Sequence, residues 1–176
     1  MRKILFLIFV AFCFSVFAQD STISFSAGTR FKKYVGFYWQ NGISAEFSSS
    51  KILNKKVSFG LNTVSSKLGT ALINNAIPTF EIELSAIKYF RPTKKVNPFL
   101  RLNTGFATAD FGDNRFSNIS NKSALLSIET GLKANGYKSL DIILGGGLNT
   151  ITGNGFKNLG TVYPLYFQAS VLYKIK

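Results

Sequence analysis

Apolar and polar positions alternate along most of the chain. From 165 to 175 the order is LYFQASVLYKI: Leu165, Phe167, Ala169, Val171, Tyr173 and Ile175 fall on one side, and Tyr166, Gln168, Ser170, Leu172 and Lys174 on the other. A period of two marks an extended strand with unlike faces, because successive side chains leave opposite sides of the pleat. The same pattern recurs upstream through Ile23, Phe25, Ala27, Thr29 and Phe31; Ile43, Ala45 and Phe47; Val57, Phe59, Leu61 and Thr63. It continues through Phe80, Ile82, Leu84 and Ala86; Leu100, Leu102, Thr104 and Phe106; Leu126, Ile128, Thr130 and Leu132; Leu140, Ile142, Leu144 and Leu148. With the stretch at 165–175 these make eight segments, and sustained helical periodicity is absent.

Gly, Asn, Pro, Ser and Lys separate the segments, as turns require. Short connections at 54–56, 91–97 and 135–139 follow the second, fourth and sixth segments. Longer ones around 32–42, 65–78, 107–122 and 150–163 follow the first, third, fifth and seventh. Strict alternation of short and long connections predicts an all-β, eight-stranded antiparallel up-and-down barrel with tight turns at one end and long loops at the other. The first loop has a second reading, in which YVGFYWQNGIS prolongs both strands into a tall hairpin turning at Asn41-Gly42.

The second face of each segment is where the charge lies. Five of the eight acidic residues, Glu46, Glu81, Glu83, Glu129 and Asp141, sit there beside Arg30, Arg101 and Lys133. The apolar face carries Lys88 alone. Alternation by itself does not say which face is enclosed. The segments are about ten residues long, enough to cross a bilayer when tilted. A cation at a lipid-facing midplane costs roughly 2–4 kcal/mol, which accounts for a leucine- and phenylalanine-rich face with almost no charge. We therefore expect lipid outside, and inside a narrow lumen a salt-bridge network of Arg30, Glu46, Glu81, Glu83, Arg101, Glu129, Lys133 and Asp141. Hydrocarbon leaves no backbone group a water partner, so the last strand must pair with the first. Aromatics are expected to girdle both rims: Tyr89, Phe90, Phe99, Tyr137 and Tyr173 at the turn end, and Phe31, Tyr38, Trp39, Phe106, Phe111, Phe116, Tyr163 and Tyr166 at the loop end.

Composition sets the compartment. The chain has 176 residues and begins MRKILFLIFVAFCFSVFAQD, with a basic pair, an apolar run and small residues ahead of Gln19. That layout predicts a secretory signal peptide over 1–18, leaving a mature barrel over 19–176. Cys13, the single cysteine, leaves with it, so no disulfide framework is expected. Loss of Arg2 and Lys3 lowers the formal charge from +13 to +11. For an exported chain this excess points to anionic lipid or lipopolysaccharide phosphate rather than nucleic acid.

The whole span 19–176 resembles the small outer-membrane β-barrel proteins, the eight-stranded OmpA-like and OmpX-like class in its Bacteroidota-type form. The stretches that carry the resemblance are ASVLYKI near 175 and VNPFLRLNTGFA at 96–107. It implies insertion by the barrel assembly machinery, which reads an aromatic-rich last strand. Here the chain departs, because Tyr173-Lys174-Ile175-Lys176 stands where such barrels often end on Phe or Trp.

Catalytic readings are weak. The chain has no histidine, so a histidine-dependent acyl transferase, deacylase or Asp–His protease lacks its general base. Glu81 and Glu83 stand two apart on one face, a spacing open to carboxylate acid–base work, although salt bridging explains them better. Asp110 and Asp113 would attract calcium only loosely, and LGGGLNT at 144–150 lacks the Lys-Ser/Thr ending of a phosphate loop. Its glycines are expected to make room for large lumen side chains.

The expectation is a monomeric, cofactor-free and non-enzymatic outer-membrane barrel with a structural, adhesive or envelope-stabilising role. The alternatives are a narrow conduit for small or apolar solutes, and a soluble barrel that encloses a hydrophobic ligand.

Overall fold

The computed structural model describes residues 23–35, 39–49, 56–66, 78–109, 122–136, 139–151 and 165–175. The leader at 1–18, Asp110 and Asp113, and most of the loops at 107–122 and 150–163 lie outside the described residues. Eight strands form: β1 (Ile23–Tyr34), β2 (Trp39–Ser49), β3 (Val57–Ser65), β4 (Thr79–Tyr89), β5 (Val96–Ala109), β6 (Lys122–Asn135), β7 (Leu140–Ile151) and β8 (Leu165–Ile175).

Each strand pairs antiparallel with its neighbours in sequence, and β8 returns to β1 with Phe25 opposite Ile175 and Tyr34 opposite Tyr166, so the sheet is a closed barrel. Closure removes both edges and satisfies the backbone without solvent. The β2–β3, β4–β5 and β6–β7 connections define a turn end; the other four define a loop end. Turn-end backbone bonds add to the ladders, among them Tyr89 N to Lys56 O at 2.7 Å and Lys174 N to Ser139 O at 2.7 Å.

The first connection differs from the expected long loop. Strands β1 and β2 both extend, pairing out to Lys33 opposite Trp39, and only residues 35–38 join them. The tall-hairpin reading is the correct one, but its turn is misplaced: Asn41 and Gly42 lie within β2, opposite Phe31 and Arg30. Polar residues at the rim have no apolar alternation, so the pattern in sequence fades before the strand does.

Sidedness follows parity throughout. On β4, Thr79, Glu81, Glu83, Ser85, Ile87 and Tyr89 are buried, while Phe80, Ile82, Leu84, Ala86 and Lys88 are exposed. The enclosed space is therefore the polar one. An arrangement holding an apolar ligand inside would turn Leu84, Leu102 and Val171 inward, and all three are exposed on the outer wall. The inward face still carries apolar residues. Near the turn end Ile87, Tyr89, Phe99, Ile143 and Leu172 form a buried cluster.

That cluster corrects part of the expected girdle. Tyr89, Phe99 and Tyr166 point into the lumen, on the same parity as Glu83, Arg101 and Gln168. Exposed outward aromatics include Phe31, Trp39, Phe80, Phe106 and Phe167 toward the loop end, and Phe59, Phe90 and Tyr173 toward the turn end. Tyr38, Phe111, Phe116, Tyr137 and Tyr163 lie outside the described residues.

Candidate functional site

Inward parity delivers charges from seven of the eight strands into one narrow space. At the loop end, Lys32 Nζ donates to Glu81 Oε2 at 2.7 Å and to Glu83 Oε1 at 2.6 Å. Arg30 Nη2 lies 3.5 Å from Glu83 Oε2 and donates to Glu129 Oε2 at 3.0 Å. Glu129 Oε1 accepts from Arg101 Nη1 at 3.1 Å, and the other Arg101 nitrogen donates to Glu46 Oε1 at 2.6 Å. Lys133 Nζ joins Glu46 Oε2 at 3.1 Å to Asp141 Oδ2 at 3.2 Å, and Lys174 Nζ closes on Asp141 Oδ1 at 2.9 Å.

The result is one chain of alternating sign: Glu81, Lys32, Glu83, Arg30, Glu129, Arg101, Glu46, Lys133, Asp141, Lys174. It begins near the loop end on β1 and β4 and finishes at the turn end on β7 and β8. Arg101 and Glu129 face each other on adjacent strands. Arg30 to Glu129, Glu46 to Arg101 and Lys32 to Glu81 instead reach across the lumen, tying strands that share no ladder. Eight strands leave an interior about wide enough for side chains alone, so these links fill the bore.

All eight residues expected in the network are in it. Two were missed, Lys32 and Lys174. Lys32 falls at the start of the stretch expected to form the first long connection, yet it lies on β1 and is fully buried in the lumen. Both share parity with the residues that were found. A count also pointed to them, since five carboxylates against Arg30, Arg101 and Lys133 leave two negative charges unmatched. With the two lysines the chain is neutral. Isolated buried ions cost several kcal/mol each, and alternation gives every carboxylate a cation.

Neutral groups add further bonds to the carboxylates. Tyr34 donates to Glu81 Oε1 at 2.8 Å and accepts from Asn149 Nδ2 at 2.6 Å. Tyr166 donates to Glu129 Oε2 at 3.1 Å, and Tyr89 to Glu46 Oε2 at 2.9 Å. The Lys32 ammonium also sits 4.5 Å from the centre of the Tyr166 ring, an attractive cation–π distance. Glu81 and Glu83, spaced for acid–base work, share Lys32 between them.

A second, uncharged belt runs around the wall rather than along the axis. Ser44 donates to Asn62 Oδ1, Asn62 Nδ2 to Ser85 Oγ at 2.7 Å, Ser85 Oγ to Asn103 Oδ1 at 2.6 Å and Asn103 Nδ2 to Ser127 Oγ at 2.8 Å. It links β2 through β6, including β3, the one strand that gives no charge. The sequence showed these residues as inward and polar, but gave no hint that they join.

The glycines of β7 make room. A Cβ built on Gly147 would stand 2.7 Å from the Tyr166 ring, and one on Gly145 would be 3.0 Å from Glu129 Oε1 and 3.2 Å from the Phe99 ring. Large lumen side chains thus lie directly on the β7 backbone, as such close approach requires.

The outer wall is the converse. Leu84 is 60%, Leu126 61% and Phe106 72% exposed, and outward leucine, isoleucine, valine or phenylalanine is found on all eight strands. Among the described residues, exposed cations lie at the rims: Lys56, Lys88, Arg91, Lys94 and Lys95 at the turn end, and Lys122 at the loop end. Lys33 lies over Trp39 at 4.7 Å. Lys55, Lys67, Arg115, Lys138 and Lys157 lie outside the described residues.

No protein family model and no curated protein sequence matches the chain. Solved structures do. The N-terminal β-barrel domain of Pseudomonas aeruginosa OprF aligns with a TM-score of 0.60 at 15% identity, covering 86% of this chain and 97% of that one. Neisserial surface protein A aligns at 0.51 and 20% identity, covering 88% and 95%. The attachment invasion locus protein Ail of Yersinia pestis aligns at 0.50 and 15% identity, covering 87% and 97%. The chain has the fold of these small barrels. At such low identity the likeness is one of fold, the closed eight-stranded wall.

Proposed function

We propose that the chain is an integral outer-membrane barrel, exported by the leader at 1–18 and inserted by the barrel assembly machinery. Its role is structural, adhesive or envelope-stabilising rather than enzymatic. One observation carries the reading: the barrel is apolar outside on every strand and charged within. A water-soluble monomer of this size rarely exposes a contiguous apolar patch beyond a few hundred Å². Here the apolar surface encircles the wall, whereas charge is confined to the lumen and rims. Lipid makes that distribution stable, and water does not.

In this reading the turn end faces the periplasm and the loop end faces outward. Lys56, Arg91, Lys94 and Lys95 then meet phospholipid head groups. Lys33 and Lys122 lie at the level of lipopolysaccharide phosphates. The barrel acts as a monomer, since closure of β8 on β1 leaves no sheet edge for a second copy to pair with, and partner specificity belongs to the loops at 107–122 and 150–163. Ail, whose name denotes attachment and invasion, is a fold neighbour consistent with a surface role and nothing narrower.

Fractionation tests the location. The account expects the protein in the outer-membrane fraction, extracted only by detergent, with electrophoretic mobility that changes on boiling. Recovery from the soluble periplasm overturns it. Planar-bilayer recording separates a structural barrel from a conduit: the neutral, cross-linked lumen is expected to give little or no current, and steady single-channel conductance would favour transport.

A further inference from the structure

The lumen walls at the turn end are unlike. Inward positions on β4, β5, β7 and β8 carry Ile87, Tyr89, Phe99, Ile143 and Leu172, which pack together. The corresponding positions on β1, β2 and β3 carry Ser24, Ser26, Ser48 and Ser58. Serines do not reach far enough to fill the bore. A cavity of about 270 Å³ remains beneath Glu46, running to the rim at Pro92 and Asn135.

We propose that this cavity is a binding site for a small, neutral, hydroxyl-rich solute of monosaccharide size. Volume sets the upper limit: sites for drug-sized ligands span about 300–1,000 Å³, and this one lies just below, yet far above the ~30 Å³ share of one water. Charge sets the class. Glu46 is already engaged by Arg101, Lys133 and Tyr89, and Asp141 holds Lys133 and Lys174. Each charge in the lining, Glu46, Lys133 and Lys174, already holds an opposite charge, so an ionic ligand competes with one of these pairs and a neutral ligand leaves them intact.

Hydrogen bonding narrows it further. Serine hydroxyls donate and accept, which suits a ligand whose own groups do both; Ser24 and Ser48 already pair at 2.6 Å. Asn97 lines the same cavity and is 2% exposed, and its side-chain amide belongs to a group that both donates and accepts. The inference stands on the lumen alone and does not depend on what surrounds the outer wall.

The test uses the full chain refolded in detergent micelles, isotopically labelled and titrated by NMR with glucose, sodium phosphate and choline chloride in turn. Glucose is expected to give saturable shifts at Ser26, Ser58 and Asn97 with a millimolar midpoint, while phosphate and choline give none. Asn97→Leu should weaken the glucose midpoint about tenfold, and so should Ser58→Leu, which fills the space. Heat-modified gel mobility verifies that both variants keep the barrel. Absence of a saturable glucose response, an equal response to phosphate or choline, or a midpoint unchanged in both folded variants overturns the proposal.

Discussion

Glu83 and Leu84 are adjacent in sequence and belong to opposite environments. Glu83 is fully buried between Lys32 and Arg30, and Leu84 is 60% exposed on the outer wall. In a soluble barrel the two would exchange roles. The inner face is specific, since each charge has named partners at bonding distance. The outer face is generic, since any apolar side chain of moderate size serves and order along it matters little. Substitutions should therefore be felt differently on the two faces: by identity inside, by polarity outside.

The largest effect is expected inside. Glu129 accepts from Arg30, Arg101 and Tyr166, so Glu129→Leu breaks the ion chain at its centre and leaves two buried guanidinium groups with one carboxylate each. We expect a loss of about 3–5 kcal/mol, read as a lower urea midpoint for unfolding of the reconstituted barrel. Leu84→Arg on the outer face should cost roughly 2–4 kcal/mol in bilayers, whereas Leu84→Phe should be close to neutral by the same measurement. If both outer variants behave alike, the contrast between the faces is lost. Ser85→Ala breaks the uncharged belt at its centre, leaving Asn62 and Asn103 each short of a partner, and should cost about 1–3 kcal/mol. The smallest effect belongs to Lys174→Ala. Its side chain is 38% exposed, and its ion pair with Asp141 is worth at most about 1 kcal/mol.

Much of this contrast was legible in the sequence. A period of two assigns a face to every strand residue, and from it followed the antiparallel barrel, its closure and eight members of the ion-pair chain. Parity outranks residue type at the rims: Tyr89, Phe99 and Tyr166 are of a kind that favours an interface, yet Tyr166 alternates with Gln168 and Ser170 on the inward side. Lys32 lies just past Phe31, where the apolar alternation of the first segment stops although the strand runs on to Tyr34. Other features lay beyond parity altogether. Period gives a face but neither height nor partner across the bore, so the pairing of Arg30 with Glu129 and the five-strand belt depend on register and strand tilt. The serine-walled cavity depends on which small residues happen to face which large ones.

The central claim is that the outer wall meets hydrocarbon. Trp39 is the chain's single tryptophan, so a Trp39→Phe, Leu102→Trp variant places one reporter in the middle of the apolar belt, at a position 52% exposed. Its fluorescence would be measured in bilayers of lipids brominated mid-chain, against aqueous acrylamide. Strong quenching by the brominated chains with little by acrylamide is the predicted result; quenching by acrylamide with none from the lipid would contradict the account.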